Sequence, residues 1–320
     1  MDTSSQSTRP SDLQEEARAS SRLVWLKGIL ESHLAWLEQK PGAARAILTG
    51  ARLNELQYEG ANLRLAILRS ATLLDVQLGG ADFSKTDLEK ADFTGANVSH
   101  GDFTEANLTA TNFTRCWLAE ANLSECRATN AIFRNANLHD ARMQEANFQY
   151  CDFTGTNFTA AGMHQCVAFQ CNFSTAVLAQ AILYHARFDM CRMVGISASQ
   201  ANFSSARLRN CDFRDAQFPS AKFTKADLTQ SCFGRATLNG CDLREAKLNG
   251  ADFSKASLIG AQMGEAVLFA ADLRGANLRG ARGLTAAQLG QARTDDSTVL
   301  PSGKNGPFLK GSGTERPARS

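Results

Sequence analysis

The sequence predicts an all-β solenoid, a four-sided coil stacked along one axis, with a helix before it and a short helical cap after it. Three observations carry this expectation. In "ADFSKTDLEKADFTGANVSHGDFTEANL" (81–108) the apolar residues recur every five positions, a period that stays in phase with neither a helix at 3.6 nor a strand at 2. The same beat runs from "AILTG" (46–50) to "ANLRG" (276–280) with no inserted or deleted residue, 47 consecutive units. Within that run, phenylalanines line up at every twentieth residue, the spacing of a coil built from four units.

The chain of 320 residues, 43% hydrophobic and 21% charged, is long enough for a large core. Residues 1–10 are polar and expected to be disordered. They show no basic end followed by an apolar stretch, and no segment approaches the roughly 20 apolar residues of a membrane span, so a cytoplasmic location and no membrane partner are expected. Residues 11–45 follow as a helix running to about Gln39, with Ser11 and Gln14 fitting a capping box and "KPG" ending it. Its second half, with Leu23, Leu26, Ile29, Leu30 and Leu34, is apolar on more than one stripe and needs a partner. It either covers the open first coil or docks a second protein; Lys27 and Glu31 argue against a membrane anchor.

Residues 46–282 form the coil. Taking the apolar third residue of each unit as position i, that residue is Leu 22 times and Phe 16 times, while i−2 is Ala 31 times and Cys 8 times. Two residues apart on an extended backbone, both face one side, and they make the core. The other three residues turn the chain with Asn, Asp, Ser, Thr and Gly, the residues of tight corners. Four units close a coil of 20 residues, and coils stack about 4.8 Å apart. One interior ladder then holds Phe93, Phe113, Phe133, Phe153, Phe173, Phe213, Phe233 and Phe253, with Met193 in its gap. In another, Ala128 and Ala168 alternate with Phe148 and Phe188, which keeps the packed volume roughly constant.

The tandem A-(D/N)-(L/F)-x-x units, seen in "ADFSK", "ANLTA", "CDFTG" and "ADLRG", resemble the pentapeptide-repeat family. The resemblance implies a right-handed quadrilateral β-helix of pentapeptide repeats, common in bacteria. Residues 283–301 resemble the way family members finish, with a short helix in "GLTAAQLGQA" capped by Thr285 and Gln288 and a last strand at "STVLP". The tail, 302–320, is rich in Gly and polar residues and is expected to be disordered.

Nothing in the chain carries a catalytic pattern. Eight of nine cysteines occupy i−2, where Ala is usual, and read as small hydrophobes in a reducing compartment. None forms a CxxC pair. His164 and His185 lie on neighbouring coils, but two histidines do not make a metal site. Phosphate loops, nucleophile elbows and zinc motifs are absent from the sequence, so a non-enzyme with no cofactor and no metal is expected.

Charge narrows the remaining functions. The chain has 34 basic and 32 acidic residues, which gives no reason to expect direct nucleic-acid binding. By resemblance, some family members protect DNA gyrase or topoisomerase IV from poisons with an acidic rod that imitates DNA. Here the repeat block carries 23 acidic and 23 basic residues, and no side is strongly acidic, as a mimic of duplex DNA must be. The favoured expectation is a non-catalytic, rigid scaffold binding one or more proteins, or a second copy of itself as a homodimer; the alternative is a gyrase-binding DNA mimic. Two surfaces are candidates. The side that begins at Tyr58 holds only four charges in twelve units and presents Trp117, Val177, Ala179 and Ser199. An aromatic cluster of Tyr150, Phe169 and Tyr184, with Ile182, His164 and His185, is expected at the corner between the sides that begin at Leu63 and Leu48.

Overall fold

The computed structural model describes residues 10–318, with side chains from residue 20 onward. The coil is built from one bond pattern repeated at each unit. Leu48 N–H bonds to Ile67 O at 2.7 Å, Gly50 N–H to Arg69 O at 2.8 Å, and Ile67 N–H returns to Ala46 O at 3.0 Å. The residue before each core position i pairs in parallel with the one twenty positions on, from Ile47 with Ile67 to Gln262 with Arg282. The corner closes when the N–H of the next unit bonds back three residues, as from Ala51 to Leu48 O at 3.0 Å. The last residue of every unit has φ near +60°. That conformation is free to glycine and costs other L residues about 1 kcal/mol or more, yet residues other than glycine fill most of these corners. At Gly95 and Gly155 the absence of a side chain is also a matter of space, because an added Cβ would strike Asp75 and Asn135 of the preceding coil.

The interior is a close-packed column. All eight phenylalanines of the expected ladder have no solvent exposure. Their rings stack at 5.0 Å between Phe93 and Phe113, 4.9 Å between Phe133 and Phe153, 4.7 Å between Phe153 and Phe173, and 4.8 Å between Phe233 and Phe253. Met193, also fully buried, bridges the gap.

Four consecutive coils differ on the side that begins at Leu48. There β1 (Arg127–Thr129), β2 (Asn147–Gln149), β3 (Val167–Phe169) and β4 (Arg187–Asp189) form a parallel sheet in the order β1-β2-β3-β4. At their ends the corner opens, and the N–H groups of residues 131, 151, 171 and 191 no longer bond back three residues. Cysteine thiols take over the carbonyls so freed: Cys151 donates to Ala128 O at 3.4 Å, Cys171 to Phe148 O and Cys191 to Ala168 O at 3.5 Å, and Cys211 to Phe188 O at 3.1 Å. Cys151 N–H in turn bonds to Cys171 Sγ at 3.4 Å, and Cys211 N–H to Ser231 Oγ at 3.2 Å. These cysteines are therefore more than stand-ins for alanine; they satisfy buried polar groups that an alanine would leave bare.

Both ends are covered. Helix α1 (Pro10–Leu37) starts one residue before the expected cap at Ser11 and ends near the expected stop, where Gln39 has φ +60°. Ser11 and Gln14 belong to the stretch whose side chains are not described, and the expected disorder of 1–10 falls outside the described residues apart from Pro10. Leu26, Leu30 and His33 of α1 are buried against the first coil. His33 receives Ala46 N–H on Nδ1 at 3.1 Å and donates from Nε2 to Arg64 O at 2.8 Å, which binds the helix to two edge groups of the coil. At the other end, α2 (Ala286–Leu289) carries the Thr285–Gln288 capping box, and Gln288 Nε2 also donates to Met263 O and Ala266 O. Val299 then pairs in parallel with Asn277 and antiparallel with Asn305.

The tail departs from the expected disorder. Ser302 N–H bonds to Thr314 O at 3.2 Å, Phe308 N–H to Thr294 Oγ1 at 2.9 Å, Thr314 is buried, and Phe308 packs on the core. The glycines read as disorder signals are turn residues: Gly303, Gly306, Gly311 and Gly313 all have positive φ, which lets the chain double back over the last coil.

Candidate interaction faces

Because the strand backbone of the coil is taken up by stacking between coils, the four walls offer mainly side chains. Outward positions are i−1, i+1 and the corner residue, and the twenty-residue period sets each in a column along the rod. On the side that begins at Tyr58, Trp117 is paired between Asn97 and Asn137, and Val177 between Asn157 and Ser197. Trp117 is 56% exposed, whereas Val177, Ala179 and Ser199 are half-buried. Trp117 and Val177 thus share one column three coils apart, and Ala179 and Ser199 are neighbours in the next. Ala160 N–H bonds to Ala179 O and Gln180 N–H to Ser199 O, so the backbone beneath these two positions is fixed. The wall is shallow and carries few long side chains.

The aromatic cluster divides in two. Tyr150 meets Phe169 edge-on at 5.7 Å, while His164 stacks on Tyr184 at 5.2 Å and Tyr184 meets His185 at 5.5 Å. Among the described residues no ring contact joins the two groups. The reason is angular: Tyr184 and His185 reach the corner entering the Leu48 side, whereas Phe169 and Tyr150 close that side at its far corner, with Val167 between them. Ile182, 42% exposed, sits on the Leu63 side opposite Gly162.

About half of the acidic residues of the coil are matched locally. Along the Leu53 side the pairs Arg134–Asp152, Arg214–Asp212, Arg235–Asp215 and Arg274–Asp272 lie at 2.6 to 2.7 Å. The Arg214 guanidinium hydrogen-bonded to Asp212 holds that carboxyl below its ordinary range, and Arg235 does the same for Asp215. Burial pushes Cys241 up to about 12 and Cys116 and Cys166 well above the usual thiol value, so no reactive thiolate forms at these three. All nine are free. Among the described residues no group of three or more His, Cys, Asp or Glu could hold a metal ion, and no helix is long and apolar enough to cross a membrane.

Reading single walls missed a feature that spans two. Where the Leu63 side turns into the Leu48 side, the surface sinks into two concavities of about 680 and 670 Å³. The signal was present at period twenty, in Glu105, Glu125 and Glu145 on one column and Arg187 and Arg207 on the facing one.

Family models place the repeats. The model described as "Pentapeptide repeats (8 copies)" matches seven overlapping stretches, from 46–85 to 121–159 and again from 231–269 to 246–282; "Pentapeptide repeat region" matches 141–218 and 166–243. No curated protein sequence matches the chain. Among solved structures, a trypsin-treated form of QnrB1, a plasmid-mediated fluoroquinolone resistance protein, is similar at 22% identity over 53% of this chain and 91% of that one, with TM-score 0.41. HetL from Nostoc sp., involved in heterocyst differentiation regulation, is similar at 24% identity over 84% of this chain and 97% of that one, with TM-score 0.25. Rfr23 from Cyanothece is similar at 22% identity over 35% of this chain and 89% of that one, with TM-score 0.32.

Proposed function

The chain belongs to the pentapeptide-repeat family, and from that premise we propose that it is a non-catalytic, rigid scaffold that binds a protein along the side beginning at Tyr58. The observation that carries this reading is the contrast between walls: four charges on this side against 11, 16 and 14 on the others. Depletion of charge is what distinguishes the core of a protein interface. A fixed backbone and short outward side chains also keep the ordering cost of association low. Trp117 is the anchor, and the occupant is a partner protein or a second copy of the chain. We read the coil as right-handed, on the family's pattern and on the general handedness of parallel crossovers, and the location as cytoplasmic, which the nine free cysteines fit.

The alternative, a DNA-mimicking gyrase-binding rod that protects against a topoisomerase poison, is less well supported. A mimic needs unmatched negative charge along its length, and on the Leu53 side arginines lie against Asp152, Asp212, Asp215 and Asp272.

Substituting both Ala179→Lys and Ser199→Lys tests the favoured reading. The two side chains point outward on adjacent coils, so the far-ultraviolet circular dichroism should stay that of the parent. Light scattering and partner capture should show association lost. Full retention of oligomeric state and of every partner by the folded variant removes the proposal.

A further inference from the structure

The four charges on the side that begins at Tyr58 are not alike. Glu120 lies 3.4 Å from His100, and Asp140 lies 2.9 Å from His139. Among the described residues Glu59 and Arg279 have no ion pair, and both are exposed. They are opposite in sign and hold the same outward position, i+1, one on the first coil and the other on the last. Eleven coil steps, about 53 Å, keep them apart within one chain.

A second copy turned end for end and laid face to face on this side brings each of them against the other. The two-fold axis then runs across the rod at its middle, and every outward column meets itself in reverse. Full overlap fixes the register: position 59 faces 279, 79 faces 259, and 117 faces 217. Ile259, 41% exposed, lands on Gly79. The coil itself does not require a glycine there, because φ at Gly79 is not positive and an added Cβ would only touch Ser99 O at 3.8 Å. Trp117, 56% exposed, comes down beside Gln217 and Pro219, both exposed. Glu120 and Asp140 face Ser220 and Gln200, so no like charges are opposed. The charge of the whole rod favours the same arrangement. Residues 46–165 hold 14 acidic and 9 basic residues, and 166–282 hold 9 and 14, so the acidic half of one copy lies along the basic half of the other. Parallel copies would set like on like. A wall about 55 Å long and about 10 Å across gives about 550 Å² from each copy and about 1,100 Å² in all, past the 1,000 Å² or so expected of a specific interface.

We propose that the occupant of this side is a second copy of the chain, packed antiparallel, with Glu59 of each copy against Arg279 of the other. The proposal rests on the scaffold reading of this side and names its partner.

The test uses the full chain at low salt, with dimerisation read by sedimentation equilibrium. Glu59→Arg alone, or Arg279→Glu alone, should weaken the dimer about tenfold, because like charges then meet at both ends. Mixing the two single variants should restore the parent affinity, since each supplies the charge that the other lacks. That recovery excludes misfolding as the cause of the losses, and parallel copies cannot produce it, because position 59 then never meets 279. A monomeric parent, single reversals that leave dimerisation unchanged, or a mixture no tighter than its components overturns the antiparallel dimer. The scaffold reading is judged separately: it survives any of these results if the Ala179→Lys and Ser199→Lys variant loses a different protein partner, and it falls if that variant loses nothing.

Discussion

Each unit places one residue in the core, one small residue where the coil turns, and one corner residue in the left-handed conformation. The first two are legible in the sequence because burial fixes their chemistry: Phe153 has no exposure, and its ring is stacked at 4.9 Å on Phe133 and 4.7 Å on Phe173. Phe153→Ala should lower stability by about 3–5 kcal/mol, as for other buried phenylalanines, measured by denaturant unfolding; a neutral change would mean that the coils on either side collapse into the space. The thiols were not legible. Four of the donating cysteines sit behind or beside open corners, and Cys241 donates to Phe218 O at 2.8 Å across a closed one; no residue type announces which thiol is a donor. Cys191→Ala should cost about 1 kcal/mol, because the bond to Ala168 O is lost and the carbonyl stays buried. Cys191→Ser should recover much of that loss, since Ser231 holds the same column with its hydroxyl on Leu208 O at 2.5 Å. Equal melting of the Ala and Ser variants would show that the thiol bond contributes nothing.

The end elements show where sequence reasoning weakens. The apolar stripe of α1 announced a docked helix, but not that His33 is the residue that seats it. His33 has no exposure, and burial, the largest influence, lowers its pKa from 6.5, opposed by the bond to Arg64 O and reinforced by Arg45. The docked form keeps the ring neutral while the undocked form takes a proton at its ordinary value. Docking is therefore fully favourable above about pH 6.5 and weakens as the pH falls from there toward the lowered value. Hydrogen exchange of α1, corrected for intrinsic rates, should accelerate between pH 7 and pH 5, and His33→Gln should remove that dependence. An α1 equally protected at both values contradicts this role. The tail misled for a related reason: glycines that signal disorder by composition also permit tight turns, and only the meeting of Phe308 and Thr314 with the last coil decides between the two.

At the scale of the whole molecule, nearly twelve coils make a rod about 55 Å long, and the period of twenty turns the sequence into four addressable walls. Net charge and wall composition could be read directly, which is why the low-charge side stood out. The two concavities could not, because they lie at a corner shared by two walls and need the long side chains of both to be placed. The aromatic cluster failed for the same reason, with Phe169 and Tyr184 at opposite ends of the side they border. The central claim is that the rod works by contact along the Tyr58 side. A photo-crosslinking amino acid placed at Ala179, and in a second protein at Lys247, exposed on the opposite Leu48 side, tests that claim most directly. Irradiation should give a covalent adduct to a partner or second copy from position 179 and none from position 247; adducts from 247 with none from 179 would contradict it.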